Sequence, residues 1–196
     1  MGVATRARLL GLVHLAVYPA PMATPSQSSA DLIKFLRTLR ATKQYTDEPI
    51  DRQAIEDILE VGRWAGSGAN RQPTEVIVIQ DREVKRKFAE WGARPAGDAG
   101  VVFLLVSASD GSAFDEGRMA ERLLLGAAAH GLGSTVATLK NGGPDQAKKL
   151  LGIPEERRAR TIVAVGHAVP NAAGRVGPSM RGGRKPMAEF AHRERF

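Results

Sequence analysis

The 196-residue chain contains no cysteine. Disulfides, thiolate metal sites, iron–sulfur clusters and cysteine nucleophiles are therefore excluded, and the composition fits a cytoplasmic protein. Aromatic residues make up only 5% of the chain, which is thin for a surface that stacks bases. The histidines, His14, His130, His167 and His192, have no metal-ligand spacing and no carboxylate partner in sequence, so no metal site is expected. There is no Gly-x-Ser-x-Gly elbow, and no pair of acids placed for general acid–base work. Long apolar runs are missing too. The stretch Leu9–Val17 is too short to span a bilayer as a helix. A chain this poor in side-chain catalysts, if it is an enzyme, relies on a cofactor for its chemistry.

What the chain has in excess is positive charge. Its formal net charge is +7, which allows an anionic partner. Nucleic acid is the obvious candidate, but there is no zinc spacing and no RNP-type aromatic strand. The arginines are spread along the chain, denser only near the C-terminus, so most read as a solvated surface and no nucleic-acid partner is expected. Length and an apolar content of 43% support one domain with a real core. Arg6, Arg8 and the following apolar run have the outline of a signal peptide. Met22, which opens a polar Ala-Thr-Pro-Ser stretch, is the preferred alternative start. Residues 1–29 are accordingly expected to be an extension, disordered or mis-called, ahead of a domain over 30–196.

Periodicity predicts the elements. A helix is expected over Asp31–Leu39 with Ser28 or Ser29 as cap, and a second after Asp51, with Ile50 and Ile55 as a hydrophobic staple. Glu75–Gln80 reads as a buried strand, followed by a helix from Asp81 to about Trp91. Gly92–Gly100 breaks the pattern. Val101–Val106 is a second strand, and Asp115 is expected to cap a long helix through His130, closed by Gly131. Thr135–Leu139, a short helix from Pro144 to Gly152, and Thr161–Val165 follow. Trp64 and Trp91 are assigned to the core. From about residue 170 the chain turns rich in Gly, Pro and Arg, and reads as disordered or as an arm. Helices alternating with apolar strands argue for a central sheet covered on both faces.

Two segments carry chemistry. Arg40 and Lys43 lie where a helix ends and an extended stretch begins; a phosphate there would gain charge-assisted hydrogen bonds. Taken alone, the same pair reads as an ordinary basic helix end. The loop Gly66–Pro73 combines small residues, among them Ser67 and Gly68, with the amides of Asn70 and Gln72. Small residues let backbone amides approach a flat ring, and the two amides both donate and accept, as the pyrimidine edge of a flavin requires. Alone it is also an ordinary turn.

The order of these pieces resembles the nitroreductase family. Arg40, Lys43, Tyr45 and Pro49 fall where that family has Arg-Ser-x-Arg/Lys-x-Phe and a following proline, with Ala41 in place of the serine. Ala65, Ser67, Asn70, Gln72 and Pro73 match its Ala-Pro-Ser-x-x-Asn-x-Gln-Pro-Trp loop, with Gly66 for the proline and Thr74 for the tryptophan. Gly131-Leu132-Gly133-Ser134 is similar to a segment that runs beside the flavin, making Gly133 and Ser134 candidate contacts. Arg184-Lys185-Pro186 is similar to the family's C-terminal Arg-Lys-Pro, and Arg184 would close over the phosphate. Arg37 and Arg181 are weaker candidates.

The resemblance implies an α+β fold, a three-layer α/β/α sandwich around a mostly antiparallel sheet, with FMN at a homodimer interface. The cofactor-binding set it implies is Arg40, Ala41, Lys43, Ser67, Gly68, Asn70, Gln72, Gly133, Ser134 and Arg184. It further implies ping-pong reduction of nitroaromatics, quinones or similar acceptors by NADH or NADPH, with no catalytic side chain. The related alternatives are flavin fragmentation, dehalogenation, or a flavin-binding module without turnover. Only one helix and a short loop separate the strands at Val76 and Val101, so little lid and a permissive pocket are expected.

Overall fold

A computed structural model describes residues 28–170 and 184–196. The expected N-terminal extension up to residue 27, and the arm over residues 171–183 with Arg181, lie outside the described residues. The chain divides into two units, residues up to Thr38 and Leu39–Phe196. The described part of the first is helix α1 (Ser29–Thr38), none of whose residues is buried. Ser28 is its cap, the Oγ accepting from the Asp31 amide at 3.2 Å.

The second unit is built on a four-stranded sheet of order β1-β2-β4-β3. Its strands are β1 (Thr74–Ile79), β2 (Val101–Ser107), β3 (Gly133–Thr138) and β4 (Arg158–Gly166), and every pairing is antiparallel. Side-chain alternation along β2 divides the core. Val102, Leu104 and Val106 face one side with Ile162, Ala164 and Phe88. Val101, Phe103 and Leu105 face the other with Val163, Val165, Ile58 and Leu123. Each such fully buried side chain contributes roughly 1.5–3 kcal/mol, which is why β2 is apolar until Ser107. Helices α3 (Arg82–Glu90) and α5 (Gly143–Leu151) cover the first face, and α2 (Arg52–Arg63) and α4 (Ala113–Ala129) the second. The three-layer α/β/α expectation holds, with an antiparallel sheet.

Several local expectations need correction. Helix α4 is capped by Ser112, whose Oγ accepts from the Phe114 amide at 3.1 Å; Asp115 sits inside the first turn. Asp51 occupies the cap position of α2 but makes no side-chain cap bond, although Ile50 and Ile55 do pack in one cluster. The Gly92–Gly100 stretch carries a 3-10 turn (Arg94–Ala96), and Ala93, Ala96 and Ala99 plug the core. Gly133 and Ser134 belong to strand β3, not to a loop ahead of it. Trp64 is 59% exposed. Its indole N–H donates to Glu60 at 2.7 Å and the Arg63 guanidinium lies over its ring, so the neighbouring charges hold it at the surface.

The sheet has two functional ends. Thr74, Ser107 and Arg158 are cross-strand partners at one end. Gly133 pairs with Gly166 at the other. From Arg158 to Gly166 along β4 is about 25 Å at ~3.3 Å per residue.

Candidate functional site

At the Gly133 end, the segment after residue 39 crosses the sheet. Ala41 bridges Ser134 in parallel, and the Thr42 amide donates to the Ser134 carbonyl at 2.9 Å. Tyr45 bridges Ala168, with the Thr46 amide donating to the His167 carbonyl at 2.9 Å. Two glycines make this crossing possible. A Cβ on Gly133 would lie 2.7–2.9 Å from three atoms of the Thr42 side chain, and one on Gly166 would lie 2.8–2.9 Å from the Tyr45 side chain. Because these glycines face each other in register, Thr42 and Tyr45 lie directly on the sheet. That contact sets Arg40, Ala41 and Lys43, all exposed, beside Gly133 and Ser134.

The buried Tyr45 hydroxyl locks the crossing. It donates to the Thr42 carbonyl at 2.6 Å and lies 3.0 Å from the Ala164 carbonyl. Burial pushes its phenol well above the ordinary 10.0. The folded state therefore keeps the proton at a pH where the unfolded chain loses it, so this contribution is whole below pH 10.0 and declines as pH rises beyond it. Tyr45→Phe is expected to destabilise by about 1–2 kcal/mol in urea unfolding at neutral pH. It should also remove the part of the alkaline stability loss that belongs to this phenol.

A cleft of about 570 Å³ runs along β3 from Lys43. Val136, Ala137 and Thr138 form its strand side, and Arg94, Lys140 and Asp98 its rim. Val136 is 44% exposed on this edge strand. The donor set suits a flavin mononucleotide: cations for a phosphate and an apolar strand edge beside a flat ring. The sequence reading missed Arg94, Lys140 and Val136–Thr138. The strand pattern assigned β3 to the core, and only the sheet order shows that one of its edges is unpaired.

The polar loop sits at the opposite end, ahead of Thr74. Three of its non-glycine residues take left-handed φ: Ala69 (49°), Asn70 (54°) and Gln72 (48°). Such residues persist only where their surroundings hold them. Here the Ser67 Oγ accepts the Gln72 amide at 2.9 Å, and the Asp115 carboxylate accepts the Gly68 amide at 3.2 Å. The Gln72 side-chain amide donates to the Asn70 Oδ1 at 3.3 Å. This leaves the Asn70 Nδ2 and Gln72 Oε1, one donor and one acceptor, for a ligand edge. Behind the loop, Glu116 accepts from the Ser107 hydroxyl at 2.8 Å and pairs with Arg158 at 3.7 Å. In sequence Asp115 and the following Glu116 read only as a helix start. Gly68 and Arg158, their partners, are more than forty residues away, so no local signal marks those contacts.

One chain therefore brings Ala41 and Lys43 to Gly133 and Ser134, with Arg40 directly preceding. It gathers Ser67, Gly68, Asn70 and Gln72 at the other end of the sheet. Arg184 is exposed at the head of the segment leading into the short helix α6 (Met187–Phe190). The histidines do gain partners in the fold, His130 with Asp57 at 3.1 Å and His167 with Glu48 at 3.8 Å. Among the described residues no group of three side chains suits a metal, and no helix is long and apolar enough to cross a membrane.

Residues 36–101 match the sequence pattern of the Nitroreductase family. The chain is 28% identical over 173 residues to the FMN reductase [NAD(P)H] of Bacillus subtilis, covering 73% of this chain and 68% of that one. It is 30% identical over 148 residues to an Archaeoglobus fulgidus protein named NADH dehydrogenase/NAD(P)H nitroreductase, covering 70% and 85%. The fold is shared with the crystal structure of a nitroreductase family protein from Clostridium difficile, at a TM-score of 0.69, 24% identity, and coverage of 84% and 98%.

Proposed function

Because the chain belongs to the nitroreductase family, we propose that it is an FMN-dependent oxidoreductase that reduces nitroaromatics, quinones or similar electron-poor acceptors with NADH or NADPH. The reading is carried by the Thr42–Gly133 contact, which sets Arg40 and Lys43 beside Gly133 and Ser134, with Lys43 lining the β3 cleft.

When bound, FMN supplies hydride transfer between the nicotinamide and the acceptor in a ping-pong cycle. The residues of this chain position and exclude. Arg40 and Lys43, joined by Arg184, would neutralise the phosphate. Ala41 leaves one hydroxyl donor fewer than the serine usual in the family, so the grip leans more on charge. Asn70 and Gln72 would hold the pyrimidine edge, and Gly68, having no side chain, would leave the loop amides open to the ring. Asp115 fixes that loop by taking the Gly68 amide proton into a hydrogen bond.

The two half-sites, the cations beside Gly133 and the loop ahead of Thr74, lie at opposite ends of one sheet, about 25 Å apart along the strands at ~3.3 Å per residue. FMN is too short to touch both in one chain. A two-fold homodimer solves this by placing the loop of one chain at the cleft of the other, giving two composite pockets.

The test is a visible spectrum of the purified protein after FMN addition and desalting, then anaerobic NADPH or NADH. Retained flavin bands that bleach are the expected result. Retained bands that do not bleach would leave a flavin protein of other chemistry, and no retained flavin would remove the proposal.

A further inference from the structure

The family loop has proline where this chain has Gly66, and the structure gives that departure a consequence. The guanidinium of Arg118, on the first turns of α4, fills the space a side chain at position 66 would take. A Cβ there would lie 2.5 Å from its Nη2, 3.0 Å from its Cζ and 3.1 Å from its Nη1. Gly66 is not among the glycines with positive φ, so backbone conformation does not require glycine there; its missing side chain leaves room for the Arg118 guanidinium, which a larger residue would displace.

Arg118 is exposed. Among the described residues its one partner is the ring of Phe114, 5.8 Å from the guanidinium carbon and itself 73% exposed, and no carboxylate pairs with it. Asp115, one turn back, is spent on the Gly68 amide, and Glu116 on Ser107 and Arg158. The next cation along the loop, Arg71, faces Asp110 at 3.4 Å. The first turns of α4 thus hold an uncompensated guanidinium against the loop and beside an exposed aromatic ring, a pair suited to a flat anionic molecule: the ring stacks and the guanidinium takes the anion.

We propose that Arg118, admitted by Gly66, selects incoming substrates that carry an anionic group. That group is either a carboxylate near the reacting ring of the electron acceptor or the 2′-phosphate on the adenosine end of the nicotinamide nucleotide. The inference rests on the loop belonging to the flavin pocket.

The experiment uses the FMN-loaded protein with 4-nitrobenzoate and 4-nitrobenzyl alcohol as matched acceptors, and NADPH and NADH as matched reductants. Arg118→Met should lower the kcat/KM ratio of the carboxylate over the alcohol, or of NADPH over NADH, by about tenfold, the worth of one charge-assisted contact. Which ratio moves identifies the source of the anion. Gly66→Ala, which keeps the arginine but displaces it, should shift the same ratio in the same direction, and Arg118→Lys should restore part of it. If the acceptor ratio is the one that moves, the calorimetric Kd for benzoate, a non-reacting carboxylate, should weaken in step; if the NADPH ratio moves, the Kd for 2′-phospho-AMP should. Both ratios unchanged within about twofold in Arg118→Met and Gly66→Ala would overturn the inference. An unaltered protein that retains no flavin or turns over neither acceptor would instead refute the proposed function.

Discussion

Mixing two flavin-deficient variants should restore flavin binding. Arg40→Ala with Lys43→Ala removes the cations at the cleft. Asn70→Ala with Gln72→Ala removes the amides of the loop. Each double variant alone is expected to bind FMN at least about a hundredfold more weakly, since two charged or polar contacts are lost from every pocket. In a two-fold dimer with composite pockets, a mixed dimer has one pocket with both defects and one with neither. Random reassortment makes half of the dimers mixed, so about a quarter of all pockets become intact. The two variants are refolded together, desalted after FMN addition, and compared with each variant refolded alone. Recovery near a quarter supports composite pockets. No recovery, with dimers verified by sedimentation, would mean that each site is completed within one chain. The prediction follows from the distance between the two half-sites along the sheet.

The second large effect is expected at Gly133. Gly133→Val pushes a branched side chain into Thr42, whose side-chain atoms lie 2.7–2.9 Å from the Cβ position. The crossing segment has little room to retreat. It is tied to the sheet through Thr42 to Ser134 and Thr46 to His167, both at 2.9 Å, and by the Tyr45 hydroxyl. Overpacking of this kind costs about 1–3 kcal/mol, and the double anchoring places Gly133→Val at the upper end. If the segment lifts instead, stability is spared but Lys43 leaves the cleft and flavin is lost. Urea unfolding and flavin retention together register either response, and wild-type values in both would refute the contact. Gly117→Ala is the control. Nothing lies within 4 Å of a Cβ there, it sits within α4, and alanine should stabilise by about 0.5–1 kcal/mol.

Much of this was legible in the sequence because it is local. The apolar run Val101–Val106 can hide on both faces only as a strand under helices, and it does; Val76–Ile79 is a strand too, but at the sheet edge, where Val78 is 39% exposed and the expected burial fails. Asp81 caps α3 through the Val84 amide at 2.8 Å, and Gly131 takes a φ of 70°, both readable from neighbours. What stayed hidden depends on partners distant in the chain. Asp115 reads as one more acid in a first turn until the fold brings Gly68 to it. Gly133 reads as a loop glycine until Thr42 is seen to lie on it. Trp64 reads as core because tryptophan usually is, yet Glu60 and Arg63 keep it outside. The Glu60 carboxyl is held down to about 2 by hydrogen bonds from Arg63 and Trp64, so it stays an acceptor at any ordinary pH. The candidate residues themselves were found through the order of three short motifs. That order says they belong together but not that they sit at opposite ends of the sheet.

Helix α4 spans those two ends. Its first turns hold the polar loop, through Asp115 on Gly68 and Arg118 against Gly66. Its last turn passes through Gly131 straight into Gly133, the floor under Thr42. Seventeen residues make a rod of about 25 Å, packed along its length by Ala120, Leu123 and Ala127. In the proposed dimer, the loop end of each rod belongs to one pocket and the glycine end to the other. Each rod then works as a strut between two flavins. In that dimer a displacement at one pocket would reach its twin along the rod, and stepwise FMN titration would read the coupling as a second affinity different from the first.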